Sequence, residues 1–277
     1  TRPNFFDAVG LSEGISSITG DIRRFNVLST AMRAGDPEFV FHFAAQPLVR
    51  EAYAAPVDTF STNVMGTVNV LQAMRGCENI AAAVIFTTDK VYENTETGVD
   101  YRETDRLGGR EPYGASKACT EIAVEAYRQS YFQDKFPVAT VRAGNIIGGG
   151  DWSADRIIPD AVRSFSAGRP LKIRNPDAIR PWQHALDPAR GLLLLTEKMV
   201  SDGTVSPGLN FGPAAENAVT VGSLADTMTA LWGNGATWAN ESTPDAPYEA
   251  KLLNLNSSLA LAEIGWKTAW SLERALN

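Results

Sequence analysis

The sequence predicts an α/β fold, a doubly wound parallel (Rossmann-like) sheet with a smaller, mostly helical C-terminal domain. Apolar runs of strand length alternate with longer segments of helical period, the pattern of βαβ units. One run, AAAVIF (81–86), is apolar without interruption, as suits a central strand buried on both faces. Polar residues follow it directly, Thr87, Thr88, Asp89 and Lys90, where an open α/β sheet places its ligands.

Taken in order, residues 1–14 read as irregular and ISSIT (15–19) as a short strand, followed by Gly20, Asp21 and Ile22. RRFNVLSTAMRAG (23–35) has helical spacing and a glycine stop. EFVFHFAAQ (38–46) reads as a buried strand ending in small residues, as needed where backbone approaches a ligand closely. VDTFSTNVMGTVNVLQAMRG (57–76) is a long helix whose Gly66 permits close packing. After the central strand and a loop over 91–112, a helix starts near Tyr113 and sets Lys117 on the same face, one turn on. A lysine ammonium beside a phenol favours the phenolate and fits acid–base work.

VATVRAGN (138–145) is the next strand. GGGDWSADRIIPD (148–160) is a glycine-rich loop entering a helix, and RPLKIRNPDAIRPWQH (169–184) is basic and broken by prolines. Guanidinium groups bind phosphate bidentately, so Arg169, Lys172, Arg174 and Arg180 form a candidate anion site; a solvated basic loop is the alternative. DPARGLLLLTEKMV (187–200) is an amphipathic helix, GLNFG (208–212) a strand, TVGSLADTMTALWG (220–233) a helix, and SLERALN (271–277) begins another. The first domain spans 1–145 and also receives about 184–212; the second comprises 146–183 and 213–277.

At 277 residues with a 44% apolar fraction, the chain has enough material for one large domain or two intimate ones. Its net charge of −7 argues against nucleic acid but not against a nucleotide, which reads local charge. Cys77 and Cys119 lack metal-like spacing, and Cys119 is expected to be a small core residue. His42 and His184 are too few for a histidine-rich metal site, so no metal is expected. No apolar run approaches membrane-spanning length. A reduced, cytoplasmic setting is the simplest account.

A dinucleotide fold opens with a strand and a glycine-rich turn at a helix N-terminus. No such turn follows a strand near residue 1, and Gly148–Gly150 comes too late. If ISSIT is the third strand, the central strands are missing. The expectation is a chain that begins inside the fold, lacking roughly 40–60 residues at its start, since one βαβ unit takes about 30 or more.

The order of Thr88, Asp89, Tyr113 and Lys117 resembles the extended short-chain dehydrogenase/reductases. HFAAQPLVR (42–50), TNVMGTVNVL (62–71), TTDKVYEN (87–94), VRAGNIIGGGDW (141–152), DRIIPD (155–160), IRNPDAIRPWQH (173–184) and NFGP (210–213) are similar to the nucleotide-sugar branch of that family. More narrowly they resemble the 4,6-dehydratases acting on CDP-glucose, because relatives acting on dTDP-glucose or GDP-mannose carry Asp-Glu where this chain has Asp89-Lys90.

The resemblance implies NAD as cofactor, a CDP-sugar as substrate, and a homodimer through helices 57–76 and 113–133 or a higher homo-oligomer; charge and apolar-run length already argue against nucleic acid and membrane as partners. It implies that Asp21 and Ile22 contact the adenine, and that Ala44, Ala45, Gln46 and Thr87 line the cofactor's path. Thr88 and Tyr113 would act on the sugar 4-hydroxyl, with Lys117 holding the nicotinamide ribose and lowering the Tyr113 pKa. Asp89 would serve as acid and Lys90 as base in the elimination. Asn145 and Arg180 would hold the diphosphate, and Trp152, Arg156, Arg174 and Trp182 would recognise the nucleotide. In 246–256, where relatives carry histidines and an aspartate, this chain has Tyr248, Lys251 and Asn256, which leaves substrate contacts there open. A 4-epimerase, a dehydratase for another nucleotide sugar and a non-enzymatic cofactor-binding remnant are the alternatives.

Overall fold

The computed structural model describes residues 4–243 and 247–277. A four-stranded, all-parallel sheet forms its centre. The strands are β1 (Phe39–His42), β2 (Ala82–Phe86), β3 (Val138–Ala143) and, later in the chain, Gly208–Phe211. β1 pairs with β2, β2 with β3, and β3 with Gly208–Phe211.

Period-two alternation sorts the side chains of this sheet onto two cores. Ala82, Val84, Ala139 and Val141 face one way, packed with Leu195, Met199, Phe211 and Trp266. Ala83, Ile85 and Val138 face the other, packed with Leu71, Met74, Val124 and Phe132. The uninterrupted apolar run is therefore a strand covered on both sides.

A short helix, Phe5–Ala8 capped by Asn4, forms in a stretch the sequence reads as irregular; the helices that follow in the first half are α1 (Phe25–Gly35), α2 (Val49–Ala54), α3 (Pro56–Phe60), α4 (Gly66–Met74) and α5 (Pro112–Tyr127). A π-type turn, Ser61–Met65, joins α3 to α4 end to end, so the long helix expected over 57–76 carries a widened turn in its middle. Gly66 is needed there: a Cβ would sit 2.5 Å from Ile22 Cδ1.

The chain then crosses to a second layer through Asn145–Ile147, which we label β4. It continues as α6 (Ile157–Ser166), β5 (Leu171–Ile173) and β6 (Ile179–His184). β6 lies between β4 (parallel) and Ala218–Thr220 (antiparallel). A separate core forms here from Ile147, Phe165, Leu171, Ile173, Trp182 and Leu224. α7 (Leu186–Asp202) returns to the main sheet and packs on its first face.

Three sequence expectations are corrected. Residues 15–19 form no strand. Their alternation of Ile and Ser meets no partner strand, and Ile15 and Ile18 are 53% and 63% exposed. Among the described residues β1 has no second neighbour, and Phe39, Phe41 and Phe43 are exposed rather than buried, while His42 points inward to Thr67. Cys119 is exposed on α5, because only part of that helix's surface meets the sheet.

The packing of α5 yields a first prediction. A Cβ on Gly109 would stand 2.0 Å from Ala115 N, in the backbone of the helix start. Backbone cannot rotate away as a side chain can. Gly109→Ala should therefore lower stability by about 1–3 kcal/mol or more in denaturant titration. A variant as stable as the parent contradicts this packing.

Candidate active site

The C-terminal ends of β1, β2 and β3 open into a cleft of about 380 Å³, bounded on its far side by β4, β5 and α6. Thr88, Asp89, Lys90, Tyr113 and Lys117 come together at its sheet end, with Ala45 and Thr87 on the wall. Asn145, Arg156, Arg174, Arg180 and Trp182 line the other side. Residues far apart in sequence thus share one space because β2 and β3 are adjacent strands.

The position of Tyr113 is fixed by a residue the sequence reading passed over. Glu111 caps α5, its Oε2 accepting from Tyr113 N at 2.6 Å and its Oε1 from Gly114 N at 2.7 Å. Pro112 supplies the preset φ of a first helical residue. The sequence signal was present, an acceptor side chain before proline at a helix start. Gly114 allows the turn at Lys90 to approach, since a Cβ there would meet Lys90 O at 2.7 Å.

Lys117 is 3% exposed and donates from Nζ to Phe86 O at 2.8 Å. Burial pulls its pKa down to about 8, with Glu121 one turn further on opposing the shift. Burial likewise pushes the Tyr113 phenol up to about 12, against a hydrogen bond with Thr88. The expected lowering of the tyrosine pKa by Lys117 is thus absent in this geometry: the buried phenol loses more hydration than its neighbours restore.

Asp89 is 1% exposed. Its Oδ1 accepts from Thr88 Oγ1 at 3.0 Å and from Lys90 Nζ at 3.1 Å, while Oδ2 has no partner among the described residues. Gly144 makes room beside it, because a Cβ there would lie 3.3 Å from Oδ2 and 2.7 Å from Pro181 Cγ.

Other expected residues stand elsewhere. The Thr87 hydroxyl turns away from the cleft and donates to Glu121, whose other oxygen takes Arg142 at 2.8 Å and Thr140 at 2.8 Å. The Gln46 backbone N–H donates to Asn63 Oδ1 and its carbonyl accepts from Asn63 Nδ2, which also donates to Ser116 Oγ and so pins the turn after β1 to α5. Ala44, Gln46, Asp21, Ile22 and Trp152 lie outside the cleft lining. Asp21 pairs with Arg23, which holds its carboxyl down at about 2. The Trp152 carbonyl accepts from Arg163.

Arg180, 3% exposed, contacts Ile179 O at 2.9 Å and Glu249 Oε1 at 3.4 Å. Tyr248 and Lys251 hold the neighbouring strap in place. The Tyr248 hydroxyl and the backbone N–H of Lys251 both meet the Glu96 carboxylate, while Arg110 stacks on the Tyr248 ring. Asn256 donates its backbone N–H to Tyr101 O. Arg50, absent from the sequence-based set, also reaches the cleft.

A sequence model of the NAD dependent epimerase/dehydratase family matches residues 2–206. The CDP-glucose 4,6-dehydratase of Salmonella typhimurium is 44% identical, over 100% of this chain and 79% of its own length. Among solved structures, the UDP-glucuronic acid 4-epimerase of Bacillus cereus in complex with UDP-glucuronic acid and NAD superimposes with a TM-score of 0.85. It has 20% identity and covers 98% of this chain and 83% of that one. The dTDP-glucose 4,6-dehydratase of Bacillus anthracis in complex with NAD gives 0.80 at 21% identity, over 99% and 81%. At such identities these two structures speak for the fold alone.

Proposed function

Since the chain belongs to the NAD dependent epimerase/dehydratase family, we propose that it is a lyase removing water from CDP-glucose to give CDP-4-keto-6-deoxyglucose. The observation that carries this reading is the Asp89–Lys90 pair at 3.1 Å, set beside Tyr113 in the same cleft. An epimerase needs only the tyrosine end; an elimination needs an acid and a base as well.

The donor set suits a nicotinamide riboside. Lys117 commits one donor to Phe86 O and keeps others for ribose hydroxyls, in a cleft that Tyr113 and Phe86 also line. When bound, the nicotinamide accepts a hydride at one stage and returns it at another. The phenolate form of Tyr113, which the positive charge of a bound nicotinamide would favour against the burial that raises its pKa, takes the proton of the sugar 4-hydroxyl, which Thr88 orients. The 4-ketone then acidifies the C5 hydrogen. Moving one proton from Lys90 to Asp89 turns the ion pair into a neutral amine and a carboxylic acid. Lys90 takes the C5 proton, Asp89 protonates the departing 6-hydroxyl and water leaves; as C6 is reduced Lys90 gives a proton back to C5, and proton exchange with solvent resets Tyr113, Asp89 and Lys90. The bare Oδ2 of Asp89 offers a site for the transferred proton.

Residues 146–183 and 213–277 are assigned to the nucleotide-sugar side, where Arg180 and Asn145 would meet the diphosphate. Arg180→Ala should weaken CDP binding by about 10- to 150-fold, the worth of a charged hydrogen-bond partner, and leave NAD binding unchanged. Equal losses for both ligands in calorimetry reject that role. The exposed Val57, Met65 and Ile122 on α3, the π-type turn and α5 support a homodimer, checked by sedimentation; a monomer at micromolar concentration contradicts it. Among the described residues no helix is long and apolar enough to cross a membrane. We assign the enzyme to the cytoplasm, where nucleotide sugars are handled. Incubation with CDP-glucose tests the function itself: a 4-keto product absorbs in alkali, whereas an epimer does not.

A further inference from the structure

The sheet face beneath α5 changes character along β3. Val138 packs in the apolar core with Val124 and Phe132, whereas Thr140 and Arg142, on the same face by period two, are buried and polar. Both meet Glu121, which lies one turn beyond Lys117 on α5 and is 4% exposed. Glu121 Oε2 accepts from Thr140 Oγ1 and from Arg142 Nη2, each at 2.8 Å, and Oε1 accepts from the Thr87 hydroxyl. Arg142 Nη1 donates to the Tyr92 hydroxyl at 2.8 Å and to Glu103 O at 3.0 Å. Tyr92 follows closely on Lys90 in the chain, so one guanidinium braces both ends of the site from behind. Gly208 makes room for it: a Cβ there would lie 2.8 Å from Thr140 Oγ1 and 3.2 Å from Arg142 Nη2.

A buried ion pair is a poor source of stability. Desolvation offsets the attraction, and apolar residues of similar volume hold such a place as well or better. What the pair touches gives it another use. Thr87 directly follows Phe86, whose carbonyl accepts from Lys117 Nζ at 2.8 Å. By taking the Thr87 hydroxyl, Glu121 fixes the peptide that aims that carbonyl. The same carboxylate sets a negative charge one turn from the ammonium.

We propose that Glu121, held by Arg142, is a positioning residue for Lys117, fixing its carbonyl partner through Thr87 and serving as its buried counter-charge. Its part in turnover rests on the role proposed above for Lys117. Burial pulls the Lys117 pKa down to about 8 against the opposing charge of Glu121, so losing that charge lowers it further. The other ionisable groups around the ammonium are Tyr113 on α5, Asp89 and Lys90 after β2, and His42 on β1. Burial and the charge of Lys117 bring His42 down to about 4, and burial takes Tyr113 up to about 12, so both are uncharged near neutrality.

The test is an NMR titration of the ligand-free protein, labelled with carbon-13 at lysine Cε, in the parent, Glu121→Gln and the paired variant Glu121→Gln/Arg142→Met. Lys117→Arg identifies the Lys117 signal. The paired variant leaves no buried charge unmatched and keeps an acceptor for Thr87, so it should unfold close to the parent temperature. In both variants the Lys117 signal should titrate about 1 pH unit lower or more, the usual worth of a close opposite charge. Turnover of CDP-glucose near pH 8 should then fall about 5-fold or more, as the ammonium becomes the minor form. Thr87→Val keeps the charge and loses the link. Its Lys117 signal should titrate as in the parent, while turnover falls about 2- to 10-fold, the worth of one hydrogen bond. If Lys117 titrates as in the parent in the folded paired variant, the pair is a strut and the inference is overturned. It is also overturned if the paired variant fails to fold, or if Thr87→Val turns over like the parent. If the Lys117 signal moves as expected in a protein that leaves CDP-glucose untouched, the substrate reading fails and the positioning role stands.

Discussion

Tyr113→Phe abolishes both product formation and exchange of the C5 hydrogen with solvent. Turnover should fall by at least the roughly 10²–10⁴-fold worth of general acid–base catalysis. The phenol is buried at the capped start of α5 and hydrogen-bonded with Thr88, so removing its oxygen leaves the backbone in place and deletes only the group that receives the 4-hydroxyl proton. The ring still fills its space, and stability should stay near that of the parent. Without the 4-ketone the C5 hydrogen is not acidic, which is why exchange disappears together with turnover. If Tyr113→Phe still exchanges C5 hydrogen at the parent rate, another group takes the first proton.

Substitution of the Asp89–Lys90 pair separates steps that Tyr113→Phe stops together. Asp89→Asn keeps the shape and the contact with Thr88 but cannot protonate the 6-hydroxyl, so product formation should slow by roughly 10²–10⁴-fold. Exchange at C5 should survive, because without the Asp89 carboxylate the Lys90 ammonium loses its stabilising partner and can release its proton to solvent instead. Lys90→Met removes the amine and should suppress exchange and elimination alike by a similar factor. Mass spectrometry of substrate recovered from heavy water distinguishes the two. If Lys90→Met exchanges as fast as the parent, the lysine acts only through its charge on Asp89.

The central strand and the acid–base helix were legible because their signals are local: an unbroken apolar run, polar residues at its end, and a four-residue spacing that puts Tyr113 and Lys117 on one helix face. ISSIT failed because alternation over five residues says nothing about a pairing partner. The exposure of Phe39 and Phe41 depends on which edge of the sheet is covered, and composition does not carry that. Glu111 was recoverable from its place before proline at a helix start. Arg50 and Asp155 were not: they are 105 residues apart and meet only because α2 and the β4–α6 loop face each other across the cleft. Thr87 shows the limit of position within a motif, since its neighbour Thr88 faces the cleft while its own hydroxyl turns into the Glu121–Arg142 network.

The most direct measurement starts from CDP-glucose carrying deuterium at C4, followed by NMR of the product. An internal oxidation, elimination and reduction moves that deuterium to C6 of a 4-keto-6-deoxy sugar, while a proton from ordinary water enters C5 through Lys90. Deuterium at C6 is the result this account predicts. Deuterium that stays at C4 of a sugar with its 4-hydroxyl inverted, or a substrate returned unchanged, contradicts it.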